Sequence, residues 1–189
     1  MNKTDALRTI IATAPDQPIV FSTGYMCRIA RMIADRATHF YMTGSMGLAS
    51  SIGIGIAQQT NRPTVVVDGD GSALMNPVGL FTAGAQESLP LVHIVLDDGR
   101  YDSTGGQVVP NRPDFCALAW VCGYGRVYQV TDPECLAERL GTVLRSCTTT
   151  TFIRCVVSGP DSPVPARVDG DLGGHAQRFT AALAAQEGR

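Results

Sequence analysis

The sequence predicts an α/β domain, a three-layer αβα sandwich around a mostly parallel sheet of six strands. Three observations predict it. Short apolar and β-branched runs recur along the chain, each is followed by a stretch with helical spacing, and glycine or aspartate stands at the junctions. Strands that alternate with helices in this way build parallel sheets covered on both faces. At 189 residues the chain is most simply one such unit with an added tail.

The elements follow in order. Residues 3–14 read as a helix, with Leu7, Ile10 and Ile11 on one face and Asn2 or Thr4 as its cap. PIVFS (18–22) is a short strand that Gly24 ends, and residues 25–35 place Met26, Ile29, Ala30 and Ile33 at helical spacing. HFYMT (39–43) is the second strand, followed by Gly44 and a helix over about 46–59. TVVVD (64–68) is the third, and a helix is expected near 76–87 after its glycine turn. LVHIVL (91–96) is the fourth strand, and loop signals fill 97–113. A helix in ALAWVCG, the strand RVYQV (126–130) and a helix at 132–146, capped by Thr131 or Asp132, come next. TFIRCVV (151–157) is the sixth strand; residues 158–174 are rich in Pro, Gly and Asp, and a last helix spans about 175–186. Residues 1–160 thus read as the α/β unit and 161–189 as a tail with a C-terminal helix.

Composition narrows the function. The net charge is −2 with acids and bases mixed, and no basic stripe appears, which argues against nucleic acid. No segment approaches a membrane span and the N-terminal apolar run is too short for a signal peptide, so the expected location is cytoplasmic. The six cysteines form no C-x-x-C pair and read as packed thiols. His39, His93 and His175 are far apart and read as structural or surface groups.

The chemistry concentrates in VVVDGDGS (65–72). Three valines make a core strand, which then breaks into Asp68, Gly69, Asp70 and Gly71. Open α/β sheets bind ligands outside the carboxyl ends of their strands, and Gly24, Gly44, Gly69 and Asp98 each follow a strand. A carboxylate on a glycine turn there points into the crevice, where bare amides meet a ligand closely. Asp70 is placed to hold a hard cation. Magnesium uses one or two carboxylates and takes its other oxygens from phosphate and water. The pair Asp97–Asp98 ends the next strand, within reach of the same ion.

GDGS (69–72) followed by the strand-end LDDG (96–99) resembles the thiamin-diphosphate fingerprint. STGYMCR (22–28), FYMTGSMGLASSIGIGIA (40–57) and HIVLDDGRYDSTGGQ (93–107) resemble the β subunits of phosphonopyruvate and sulfopyruvate decarboxylases. The resemblance implies the diphosphate-binding (PP-type) fold, with thiamin diphosphate and Mg²⁺ as cofactors. It implies Asp70, Asp98 and the backbone carbonyl of Arg100 as metal ligands. Gly71 and Ser72 would meet the diphosphate with Thr23 and Gly24, and Gly44 would offer its carbonyl to the aminopyrimidine. Ser45, Gly69, Asp102 and Ser103 complete the implied cofactor contacts. Met46 matches the apolar wedge that bends the cofactor into its V shape, a role that suits a flexible thioether. Arg100, Ser103, Thr104 and Gln107 are candidates to face the anionic tail of a small 2-oxo acid.

The implied function is conversion of 3-phosphonopyruvate to phosphonoacetaldehyde and CO₂, with sulfopyruvate to sulfoacetaldehyde, or a non-catalytic cofactor-binding or regulatory subunit, as the alternatives. Two departures stand out. Asp98 replaces the family's Asn and adds a charge beside a diphosphate. The essential Glu of the family has no counterpart: Glu87, Glu134, Glu138 and Glu187 follow no strand in the right place. A pyrimidine-binding α subunit is therefore the implied partner, in an α2β2 or larger hetero-oligomer. A dinucleotide-binding reading fails, because GIGIAQ (53–58) lacks the G-x-G-x-x-G spacing and lies inside a helical run.

Overall fold

The computed structural model describes residues 1–159 and 165–187. In chain order the elements are α1 (Lys3–Thr13), β1 (Ile19–Phe21), α2 (Tyr25–Ile33), β2 (His39–Tyr41), α3 (Ala49–Thr60), β3 (Thr64–Gly69), α4 (Asp70–Met75), α5 (Val78–Gly84) and β4 (Leu91–Asp97). There follow β5 (Arg100–Tyr101), a 3₁₀ turn at Asp102–Thr104, β6 (Gln107–Val108), α6 (Phe115–Cys122), β7 (Arg126–Val130), α7 (Pro133–Arg145), β8 (Thr151–Val156) and α8 (Leu172–Glu187).

The six longer-range strands pair in the order β2-β1-β3-β4-β8-β7, and every pairing is parallel. Alternation along β3 sends Val65 and Val67 to one face, against α1, α2 and α7 through Leu7, Ile29 and Leu140. Val66 turns to the other face, among Ile54 of α3, Leu80 of α5 and Phe115 of α6. Both faces are covered, as continuous apolar strands require. From β1 the chain steps outward to β2 and then crosses back to β3 on the far side. The strand order therefore reverses between β1 and β3, and the crevice for a ligand opens there.

Caps and breaks follow local chemistry. Asn2, not Thr4, caps α1: its side chain accepts from Asp5 N at 2.8 Å and Asp5 answers the Asn2 amide. Asp132, not Thr131, caps α7, accepting from Cys135 N at 2.8 Å. Two helices stand between β3 and β4, where the sequence predicts one near 76–87. Only the second, α5, falls in that range; the first, α4, is an addition that begins at Asp70 inside the glycine turn, and Asn76-Pro77 separates them because a residue before proline leaves the helical region. The helix expected from about 46 starts at Ala49, since Ser45 and Gly47 hold positive φ angles of 56° and 96°. Residues 97–113, read as loop, contain the hairpin β5–β6. The last helix starts at Leu172, three residues early, where Asp171 accepts from Gly174 N at 2.9 Å. Of the cysteines, Cys27, Cys122 and Cys155 are buried and all six are free thiols; burial pushes Cys155 up to about 12.

His39 in β2 is a test of the packing. Its ring is buried edge-on against Phe21, with Nδ1 3.0 Å from the Ala34 carbonyl. Burial holds its pKa down at about 4. The imidazole is neutral in the fold and charges near 6.5 when unfolded. Its contribution is thus present above pH 6.5 and lost as pH falls through about 4, on the order of 2–3 kcal/mol. His39→Phe should flatten the fall of melting temperature between pH 6.5 and 4; an unchanged slope would show that other groups cause it.

Candidate active site

At the carboxyl ends of β1, β3 and β4 the chain encloses a small cavity of about 40 Å³. Asp70, the first residue of α4, is 2% exposed. Its Oδ1 accepts from Gly71 N at 2.7 Å and its Oδ2 from Gly99 N at 2.6 Å. Both donors are neutral amides. Burial pushes the carboxyl up to about 7, and the charges of Asp98 and Asp97 push the same way.

Strand alternation separates the two aspartates that end β4. Asp97 is fully buried on the α6 side and is committed to two arginines, with Arg112 Nε at 2.8 Å and Arg154 Nε at 2.7 Å. Asp98 faces α1, where the ammonium of Lys3 bridges it to Asp102. Burial raises Asp98 in spite of Lys3; it also pushes Asp102 up, but the Lys3 ammonium outweighs it there and leaves Asp102 below its usual range. So the extra charge that Asp98 brings has a counter-ion supplied by the first helix, and among the described residues Asp70 has only amides.

The wall around these carboxylates is made by turns. Tyr101 lies over Gly71 so closely that a Cβ there would stand 2.4 Å from its ring. Ser72 accepts from Gly47 N at 3.1 Å through Oγ. Gly24, at φ +94°, faces Ser103, whose Oγ would be 3.0 Å from a Cβ. Ser22 Oγ is buried on the cavity wall with no hydrogen-bond partner among the described residues.

Thr23, Met46, Gly69, Asp70, Gly71, Ser72, Asp98, Arg100, Asp102 and Ser103 all line this cavity. Gly24 and Thr104 line a second one of about 230 Å³, which shares Thr23, Met46 and Ser103 with the first. Gly44 and Ser45 line a third of about 350 Å³ between β2 and α8, and a Cβ at Gly44 would meet nothing within 4 Å. Gln107 lines none of the three; it is exposed and bonds Thr104 Oγ1 at 3.1 Å. The Arg100 side chain is exposed and donates to the Gly106 carbonyl at 3.2 Å. Sequence reasoning missed Lys3, Ser22 and Tyr101. Lys3 carried one signal, as the only lysine in the chain.

The donor set suits a hard divalent cation. Asp70 is a buried carboxylate that positive charge would relieve, with Asp98 close enough to raise it. Among the described residues no cluster of three or more His, Cys, Asp or Glu is arranged to hold a metal, so such a cation needs oxygens from a ligand. The unsatisfied Ser22 hydroxyl and the side-chain-free flank of Gly69 leave places for one.

Residues 21–155 match the family model described as thiamine pyrophosphate enzyme, C-terminal TPP binding domain. The chain belongs to this family. It is 45% identical over 141 residues to phosphonopyruvate decarboxylase of Streptomyces viridochromogenes, a match covering 74% of this chain and 36% of that relative. It is 43% identical over 107 residues to the sulfopyruvate decarboxylase subunit beta of Methanothermobacter thermautotrophicus, covering 57% of this chain and 58% of that one. The fold is like that of benzoylformate decarboxylase from Polynucleobacter necessarius, with a TM-score of 0.70 at 19% identity over 84% of this chain and 33% of that one. The match thus spans about a third of the phosphonopyruvate decarboxylase.

Proposed function

We propose that this chain is the diphosphate-binding part of a thiamin-diphosphate- and Mg²⁺-dependent decarboxylase that converts 3-phosphonopyruvate to phosphonoacetaldehyde and CO₂. One observation carries the reading: in a chain of this family, Asp70 and Asp98 converge at the crevice between β1 and β3, and among the described residues Asp70 is paired with amides and no cation. Asp70, Asp98 and the backbone carbonyl of Arg100 would hold Mg²⁺. Gly69, Gly71, Ser72, Thr23, Gly24 and Ser103 would hold the diphosphate, with Asp102 kept in the wall by Lys3. Bound thiamin diphosphate supplies the nucleophilic carbon and the electron sink for loss of CO₂. Met46, Gly44 and Ser45 would orient the far end of the cofactor, and Arg100, Thr104 and Gln107 the substrate.

A pyrimidine-binding α subunit would complete the site in an α2β2 or larger assembly, and the β-subunit names of the sulfopyruvate decarboxylase relatives support such a partner. No helix among the described residues is long and apolar enough to cross a membrane. Separately, the proposed enzyme is cytoplasmic. Within it, residues 1–160 would be the cofactor-binding unit and 161–189 a tail. Those relatives also favour a second reading, sulfopyruvate as substrate. Release of CO₂ from the two acids, measured with the α subunit present, decides: kcat/KM should favour phosphonopyruvate about tenfold or more. The reverse preference would assign sulfopyruvate, and no release from either would overturn the decarboxylase.

A further inference from the structure

We propose that Arg28 and Arg167 form the subsite for the oxyanion tail of the substrate, a phosphonate or sulfonate, beside the candidate metal site. The proposal rests on the decarboxylase reading. Its basis is the cavity of about 230 Å³ next to that site. Thr23, Met46 and Ser103 belong to both cavities, so a ligand in one lies against the other. The space is far larger than one water needs. Arg28 comes from α2 and Arg167 from the segment that precedes α8, so two distant stretches bring cations to one hollow.

Their position in this hollow together with charge balance fits these two for an anion. Lys3 is bonded to Asp98 and Asp102, and Arg112 and Arg154 are bonded to Asp97. No carboxylate lines the 230 Å³ cavity. Among the described residues the ion pairs formed by arginine involve Arg8, Arg31, Arg112, Arg154 and Arg178, and neither Arg28 nor Arg167. Arg28 is half-buried with its guanidinium 5.6 Å from the Tyr25 ring centroid, a contact that orients a cation without neutralising it. The hydroxyls of Thr43 and Thr104 line the same hollow, and Thr23 and Ser103 stand on the wall it shares with the metal cavity. Arg28 and the exposed Arg167, with these hydroxyls beside them, suit a tetrahedral group with three charged or partly charged oxygens. Met46 supplies an apolar wall between this subsite and the metal cavity. Arg100 lies on the wall of the metal cavity instead and is turned to Gly106.

The test uses the full chain with its α subunit, thiamin diphosphate and Mg²⁺. The probe is 3-phosphonopropionate, which has both acid groups of the substrate and no keto group to react. Calorimetric titration of the parent should show binding, and R28M/R167M should weaken it about tenfold or more, the loss of one or two charge-assisted contacts. The same variant should raise KM for phosphonopyruvate and sulfopyruvate by a similar factor with little change in kcat, and leave thiamin diphosphate affinity unchanged. R28K should recover part of the loss, and an unchanged melting temperature excludes a folding defect. Unchanged probe affinity would overturn the proposal. So would weakened thiamin diphosphate binding with probe affinity intact, because the arginines would then serve the cofactor's diphosphate. If the parent decarboxylates neither acid, the decarboxylase reading falls, and the titration still decides the arginines by the same criterion.

Discussion

Asp70→Ala is expected to weaken thiamin diphosphate binding in the presence of Mg²⁺ by about a thousandfold, ~4 kcal/mol. The magnitude reflects what stands at the site. Asp70 is the carboxylate on the β3 turn, held by the Gly71 and Gly99 amides and, among the described residues, paired with no cation. Removing it would take away one of the two charged ligands proposed for the metal, and it removes the acceptor of the Gly99 amide. Asp98→Asn should behave differently. An amide oxygen still ligates magnesium, so cofactor affinity should stay within about tenfold. The cost should appear in stability instead, because the buried Lys3 ammonium loses the Asp98 carboxylate, worth about 1–3 kcal/mol. Cofactor titration by calorimetry and thermal melts of the apo chain separate the two effects. If Asp70→Ala bound cofactor like the parent, the metal site would lie elsewhere.

The second large effect is on assembly. The chain alone should release CO₂ at no more than about a thousandth of the rate of its mixture with the pyrimidine-binding α subunit. The argument is geometric. A cofactor anchored as proposed at Asp70 and Gly71 would have to reach a glutamate at its other end, and the described residues present none there. Glu87 precedes β4, at the amino ends of the strands, and Glu134 and Glu138 are exposed on α7, whose inner side packs beside α1 on a face of the sheet. Loss of one general acid–base group typically costs 10²–10⁴ in rate. A cofactor shared between two chains also stabilises the complex over its parts, so thiamin diphosphate and Mg²⁺ should raise the apparent affinity of the chains for each other. Assays of aldehyde formation before and after adding the α subunit provide the measurement. Robust turnover by the lone chain would mean that a residue here replaces the missing glutamate.

By itself the sequence determined the α/β class, the six strands of a mostly parallel sheet and the polar turn after each of β1, β3 and β4. These are local properties. A run such as VVV needs burial on both faces, and glycine or aspartate at its end cannot continue it. It also placed Asp70 and Asp98 near one another, because both follow strands that a parallel sheet aligns at one rim. The tertiary structure alone decided the rest. Strand order depends on which helices pack across which face, and so the reversal between β1 and β3 is invisible in local pattern. The roles of Asp97 and Asp98 separate only when β4 is set in the sheet, with one side chain turned to Arg112 and Arg154 and its neighbour to Lys3. Lys3 lies 95 residues from Asp98, on a helix whose sequence reads as ordinary and amphipathic. Ion pairs of that separation form only because packing brings the groups together, and no periodicity records them.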